Sequence, residues 1–395
     1  MAYPDLCFSS IRNHLPVEYI HMKIELNEQE RQALDDILTQ KDENCAVSEL
    51  YNSYLDDHFD AIGEKDVHFL MDKEGLDEKT AMEEAFLDYL NLDSSDPVVE
   101  EMKEHTGFGS LTRLDEEVFL REPFQSLKIP KAVLGPYQLR YNYFSPFELF
   151  TREDTTANEK NNFAEMTSVG YFDKKVPYLM LTQGEEIWMS ITPHEINTMK
   201  KPIAQAFGDV LTFGLGLGYF AYEISNKDDV NSVTIIEKDA KVIELFKKNI
   251  LPLFPHKEKI RIIKIDAFLY FDREMKDTHY DYVFVDIYHT SQDALPLYLR
   301  FLRLEKKNRY ENIHYWIEDS ILCLMRRYVL TLIEEYFLSV DPKEYDNIID
   351  EETDILSCLY HALEDKEFHS IDEVKSLLSN QGLKSLAKET KPSRR

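Results

Sequence analysis

The sequence predicts an α/β protein built around a doubly wound, parallel-type sheet, with a β-hairpin region before it, an N-terminal helical domain and C-terminal helices. Three features carry that prediction. From Asp209 onward, short apolar runs at 209–213, 232–237, 260–265, 281–286 and 313–318 alternate with helical patterns at about 218–227, 239–249, from Ala267 and at 292–304. Most of these runs are nearly continuous Val, Ile and Phe, as in strands covered on both faces. The first run leads straight into Gly214, Gly216 and Gly218 and then into a helical pattern. A buried strand, a glycine turn and a helix start let a ligand approach the backbone closely.

Taken in order, the chain divides at composition changes. Residues 1–125 read as an acidic helical accessory domain. Asn27 with Glu30 forms an N-cap pair ahead of Leu34, Ile37 and Leu38. A second helix sets Val47, Leu50, Tyr51, Tyr54 and Leu55 on one face, and a third runs over about 77–90. His58 and His68 read as surface or structural residues. Residues 126–192 are β-rich: 137–150 is aromatic and partly alternating, the polar stretch 151–162 reads as a loop, and 176–182 with 186–192 forms a hairpin turning at Gln183-Gly184. Pro193-His194-Glu195 opens a helix to about Phe207, and the core unit occupies 193–320. Residues 321–395 are expected to be helical, with Ser370 and Glu373 boxing a helix over 371–379, and to end in a frayed basic tail.

Composition limits the function. The net charge is −29, from 74 acidic and 45 basic side chains, and residues 1–125 hold 31 of the acids and 10 of the bases. Such a front half repels nucleic acid and anionic membrane, and it suits a solvated surface or a cationic small-molecule substrate. Four scattered cysteines, Cys7, Cys45, Cys323 and Cys358, have neither metal-ligand spacing nor a disulfide pattern. With no apolar leader core in MAYPDLCFSS and no run of about 18 apolar residues, a cytoplasmic protein without a metal is expected.

The chemistry-bearing residues fall at strand ends. A glycine-rich first turn also serves NAD enzymes, but Tyr219 stands where a dinucleotide turn places its last Gly or Ala. Glu237 ends the second strand, where a carboxylate can accept both ribose hydroxyls. Asp266, just before Ala267, ends the third, where it could hold an adenine amino group. Asp286 ends the fourth, and all three acids point into the crevice where open α/β sheets bind ligands. His289 follows as a candidate general base that Asp286 could orient, since imidazole suits proton abstraction near neutral pH. Tyr288 and Asp293 could line a substrate pocket, and Glu318, at the end of the fifth strand, also points to the crevice. Trp188 and Met189 are read either as packing against a cofactor or as hairpin core.

Residues 176–304, about a third of the chain, resemble the class I S-adenosylmethionine-dependent methyltransferase fold, a Rossmann-like sheet, and within it the spermidine-synthase-like branch. The hairpin LMLTQGEEIWMS and Pro193-His194-Glu195 immediately before the glycine strand carry the likeness. The resemblance implies S-adenosyl-L-methionine as cofactor, held by Gly214, Gly216, Gly218, Glu237, Asp266, Ala267 and His194, with His194 near the methionine tail. It implies Asp286 as the substrate-facing acid and, in this branch, a homodimer. Three departures oppose aminopropyl transfer. Leu217 stands where that branch carries an acid inside its glycine turn, Pro193 replaces a tyrosine, and His289 replaces the second acid gripping the amine. Lost charge-assisted bonds would cost about 1.5–3 kcal/mol each. Methyl transfer is therefore the expected activity, with aminopropyl transfer and a non-catalytic binding module as alternatives.

Overall fold

The structure, a computed structural model, describes residues 22–55, 61–340 and 351–391. Cys7, His58 and the last four residues of the basic tail lie outside them. After β1 (Lys23–Ile24), α1 (Glu28–Leu55) starts at the expected cap. Asn27 Oδ1 accepts the Glu30 N–H at 3.0 Å, and the Glu30 carboxylate accepts the Asn27 N–H at 3.1 Å. The two helices expected over 28–55 are one continuous helix of 28 residues, because no Gly or Pro interrupts it. Next come α2 (Glu64–Glu74), α3 (Glu78–Tyr89), α4 (Pro97–Thr106), β2 (Leu111–Arg113) and α5 (Glu116–Leu120).

Short strands follow: β3 (Ala132–Leu134), β4 (Tyr137–Phe144), β5 (Leu149–Thr151), β6 (Thr156–Asn158), β7 (Ala164–Met166), β8 (Val169–Tyr171), β9 (Val176–Gln183) and β10 (Glu186–Ser190). The hairpin β9–β10 is antiparallel and forms one side of a sheet ordered β10-β9-β4-β3. The stretch 151–162 is not a plain loop: β6 pairs with β7. Asn162 and the buried Phe163 take positive φ of 45° and 64° in the turn, and the Phe163 N–H bonds back to Asn158 O at 3.0 Å. Asparagine tolerates that left-handed geometry, so a polar run closes a hairpin without apolar alternation.

The α/β unit comprises α6 (Pro193–Gln205), β11 (Gly208–Phe213), α7 (Tyr219–Ser225), β12 (Val230–Glu237), α8 (Ala240–Asn249), β13 (Ile260–Lys264), α9 (Ala267–Leu269), β14 (Tyr282–Val285), α10 (Ser291–Asn308) and β15 (Ile313–Tyr315). Its sheet runs β13-β12-β11-β14-β15 with every pairing parallel. The fifth strand ends at Tyr315, not at Glu318. Ile317 adopts a positive φ of 44° and starts α11 (Glu318–Leu338), so Glu318 is a helix residue. Then come α12 (Glu351–Leu363), β16 (Glu367–Phe368), α13 (Ile371–Leu378) and α14 (Asn380–Glu389).

The tail departs from expectation. Through Glu389 it is helix, with Leu383, Leu386 and Ala387 buried and Lys388 paired with Glu305 at 2.8 Å. Lys384 and Lys388 flank its apolar face and pair with Glu318 and Glu305 on the neighbouring helices. The Ser370 box is incomplete: Ser370 Oγ accepts the Glu373 N–H, but the Glu373 carboxylate accepts from His369 N instead.

Two buried cores form. The larger spans the parallel sheet, the hairpin sheet and the C-terminal helices; the smaller gathers Val47, Tyr51, Met82 and Phe86 with Phe147 and Tyr171. α1 belongs to both, giving Leu34 and Ile37 to the first and its C-terminal half to the second.

Candidate functional site

Parallel pairing sets the ends of β13, β12, β11 and β14 side by side, and the residues after or at those ends are Asp266, Glu237, Gly214 and Asp286. The register is tied by Gly214 N–H to Ile236 O and Asp286 N–H to Phe213 O, both at 2.9 Å, and by Ile265 N–H to Glu237 O at 3.1 Å. Three strand steps of about 4.8 Å make this row roughly 14 Å long.

Gly214, Gly216 and Gly218 have φ of 97°, 51° and 81°, which side chains rarely adopt. The space their missing Cβ atoms would take is filled by the protein itself. A Cβ on Gly214 would run into the Asp286 carbonyl, one on Gly216 into the Met189 thioether, and one on Gly218 into the Phe246 ring. Met189 reaches the turn because the register of β10 shifts between Ile187 and Met189.

Glu237 joins the turn to the next helix. Its Oε2 accepts the Leu215 N–H at 3.3 Å and its Oε1 the Asp239 N–H at 2.8 Å. Burial pushes its carboxyl up despite those bonds. Asp239 in turn accepts the Tyr137 hydroxyl at 2.7 Å. Asp266 is the N-cap of α9, with Oδ1 accepting the Leu269 N–H at 3.1 Å. Ala267 is buried as the first residue of that helix.

Asp286 shares a cavity with a residue that sequence reasoning left without a role, Glu195 on α6. The cavity measures about 10 Å³ and is also bordered by Thr212, Leu217, Tyr219 and Met189. That is room for about one water-sized group. Glu195 is 6% exposed. No hydrogen bond or cation engages either carboxyl among the described residues. Burial raises both groups, Asp286 to about 7, and the Asp286 charge pushes Glu195 up further. The available signal was an acid in the first turn of a helix beside buried Ile196 and Met199, just before the glycine strand.

The other candidates lie elsewhere. His194 packs edge-on against Trp316 at 5.9 Å, and burial lowers its pKa to about 4, leaving it neutral. His289 is exposed at the rim, its ring 5.3 Å from Trp188, which also meets Tyr137. No hydrogen bond joins the His289 ring to Asp286; the backbone N–H of His289 donates to Asp293 Oδ2 at 3.0 Å. Asp293 completes a capping box with Thr290 on α10. Tyr288 is buried and donates its hydroxyl to Trp316 O at 2.7 Å. Glu318 accepts from Tyr298 at 2.8 Å and pairs with Lys384 at 2.7 Å, so it holds helices together instead of facing the crevice.

Among the described residues, no three His, Cys, Asp or Glu side chains gather in a way that could hold a metal ion. No helix among them is long and apolar enough to cross a membrane. Comparison of the chain with models of known families and with curated proteins finds no match.

Proposed function

We propose that the chain is an S-adenosylmethionine-dependent transferase with a Rossmann-like, doubly wound core, and that it methylates a small molecule. The observation that carries this reading is the row Asp266, Glu237, Gly214 and Asp286. It lies at the carboxyl edge of a parallel sheet whose strand order reverses between β11 and β14, where open α/β sheets take their ligands. In this reading Glu237 accepts from ribose hydroxyls, the second oxygen of Asp266 from an adenine amino group, and Asp286 faces the reacting end. The bound cofactor would supply an electrophilic methyl group. Asp286 in the cavity and His289 on the rim are the two candidates for taking a proton from the incoming nucleophile. Leu217, Pro193 and His289 favour methyl over aminopropyl transfer, because the polar contacts to a polyamine are missing.

The acceptors suit an adenosyl compound; the space does so only after Met189 moves. A cavity of about 10 Å³ is far smaller than such a ligand. Methionine is unbranched with three rotatable bonds, and β10 is an edge strand, so withdrawal of this side chain requires no break in the sheet. The filled turn also favours a second reading, a non-catalytic module whose glycines serve internal packing alone.

Calorimetry with S-adenosylmethionine, its decarboxylated form, S-adenosylhomocysteine and NAD separates these readings. Binding of S-adenosylmethionine in preference to the decarboxylated form supports methyl transfer, and the reverse order supports aminopropyl transfer. Failure of every adenosyl compound to bind leaves the packing module.

A further inference from the structure

The other acids at or just after the strand ends have structural tasks. Glu237 ties the turn to α8, Asp266 and Asp293 cap helices, and Glu318 pairs with Lys384. Glu195 and Asp286 have none. They come from different elements, α6 and the end of β14, and border one cavity among Met189, Met199 and Leu217. Neither side chain accepts a hydrogen bond or meets a cation among the described residues. Burial penalises charge on both carboxyls and the Asp286 charge raises Glu195 further, which favours a proton held by the pair.

We propose that Glu195 and Asp286 form a subsite for a positively charged sulfonium centre, taken up in exchange for the proton the pair otherwise shares. The inference rests on the adenosyl reading of the glycine turn. The cavity as it stands holds about one water-sized group, so the sulfonium enters only with the withdrawal of Met189 that the adenosyl reading already requires. The walls fit: apolar, sulfur-bearing side chains lower the local dielectric and strengthen attraction between a cation and the pair.

The titratable groups facing the pair do not compete. Tyr219 from α7 and Tyr288 after β14 are both buried with raised pKa values, so both are neutral near pH 7. His194, beside Glu195 on α6, is neutral and packed on Trp316. A neutral thioether in the same position leaves the proton on the pair and gains nothing from it. The subsite therefore distinguishes a ligand from its demethylated counterpart by charge.

Calorimetry with S-adenosylmethionine and S-adenosylhomocysteine tests this on the full chain and on Glu195→Gln, in two buffers of different ionisation heat. The wild type should release a proton on binding the sulfonium compound and none on binding the thioether. Glu195→Gln should weaken the first by about 10- to 100-fold, leave the second within about twofold, and abolish the release. Asp286→Asn should repeat this pattern, with circular dichroism checking that each variant is folded. Equal weakening of both ligands, or of neither, in folded variants overturns the inference. Absence of binding by the wild type to either compound overturns the adenosyl reading and takes the inference with it.

Discussion

Replacing Met189 with alanine asks whether the glycine turn is a ligand site at all. The substitution deletes Cγ, Sδ and Cε, the last two of which occupy the space in front of Gly216. Three methylene-sized groups at about 0.8 kcal/mol each would be worth roughly 2.4 kcal/mol if wholly buried. Met189 is half-buried, so about 1.2 kcal/mol is the expected loss of stability. The same contacts must be broken in the wild type whenever a ligand reaches the turn, and the variant is spared that step. Since 1.4 kcal/mol is tenfold in affinity, Met189→Ala should bind S-adenosylhomocysteine about 5- to 10-fold more tightly while melting a few degrees lower. Met189→Leu keeps the bulk and should stay near wild type in both measurements. Calorimetry and thermal melts read the two effects separately. A folded Met189→Ala protein with unchanged or weaker affinity would refute the argument, because the thioether would then lie outside the ligand's path.

Glu237→Ala and Asp266→Ala should each weaken adenosyl binding by about 1–3 kcal/mol, and the second should also cost about 1 kcal/mol of stability that Asp266→Asn restores, since Asn caps helices well. If both bind ligand as wild type does, the row of acids is purely structural. Arg327→Ala strands the buried Glu165 carboxylate, its partner across the α11–β7 contact, and urea titration should show a loss of about 3–5 kcal/mol. Asp286 is held at about 7 in the fold against 3.8 ordinarily, so the folded chain binds its proton more tightly than the unfolded chain. Its stabilising contribution is complete below pH 3.8 and is lost as pH rises through about 7. Asp286→Asn should therefore melt higher than wild type at pH 8, by up to about 4 kcal/mol of stability, with the gap closing toward pH 4; a gap independent of pH contradicts the raised pKa. His289→Ala should retain cofactor affinity and lose turnover, and unchanged turnover would remove this histidine from the chemistry.

The parallel sheet was legible because its signals are local. Runs such as SVTIIE and YVFVD, with helical patterns between them, mark elements through side-chain periodicity, and the ends at Glu237 and Asp286 follow from the same pattern. The Asn27–Glu30 box and the hairpin over 176–190 were readable for that reason too. Where the sequence signal was weak, other physics prevailed. The β6–β7 pair closes through left-handed Asn162 and Phe163, and Ile317 breaks the fifth strand by a backbone geometry that no side-chain pattern announces. The tail helix α14 forms because its apolar face finds α10 and α11.

By itself, then, the sequence determined the alternation of strands and helices in the parallel sheet, the glycine turn and the identity of the acids beside it. It could not say what those residues touch. Only the tertiary structure decided that the glycines make room for Asp286, Met189 and Phe246, that Asp266, Asp293 and Glu318 are engaged in caps and ion pairs, and that Glu195 borders the same cavity as Asp286 with no hydrogen-bond or cationic partner among the described residues. Glu195 and Asp286 are 91 positions apart in the chain. Their meeting is set by how α6 packs before β11 and how β14 crosses back to lie beside it, and periodicity within one segment carries no information about contacts between segments.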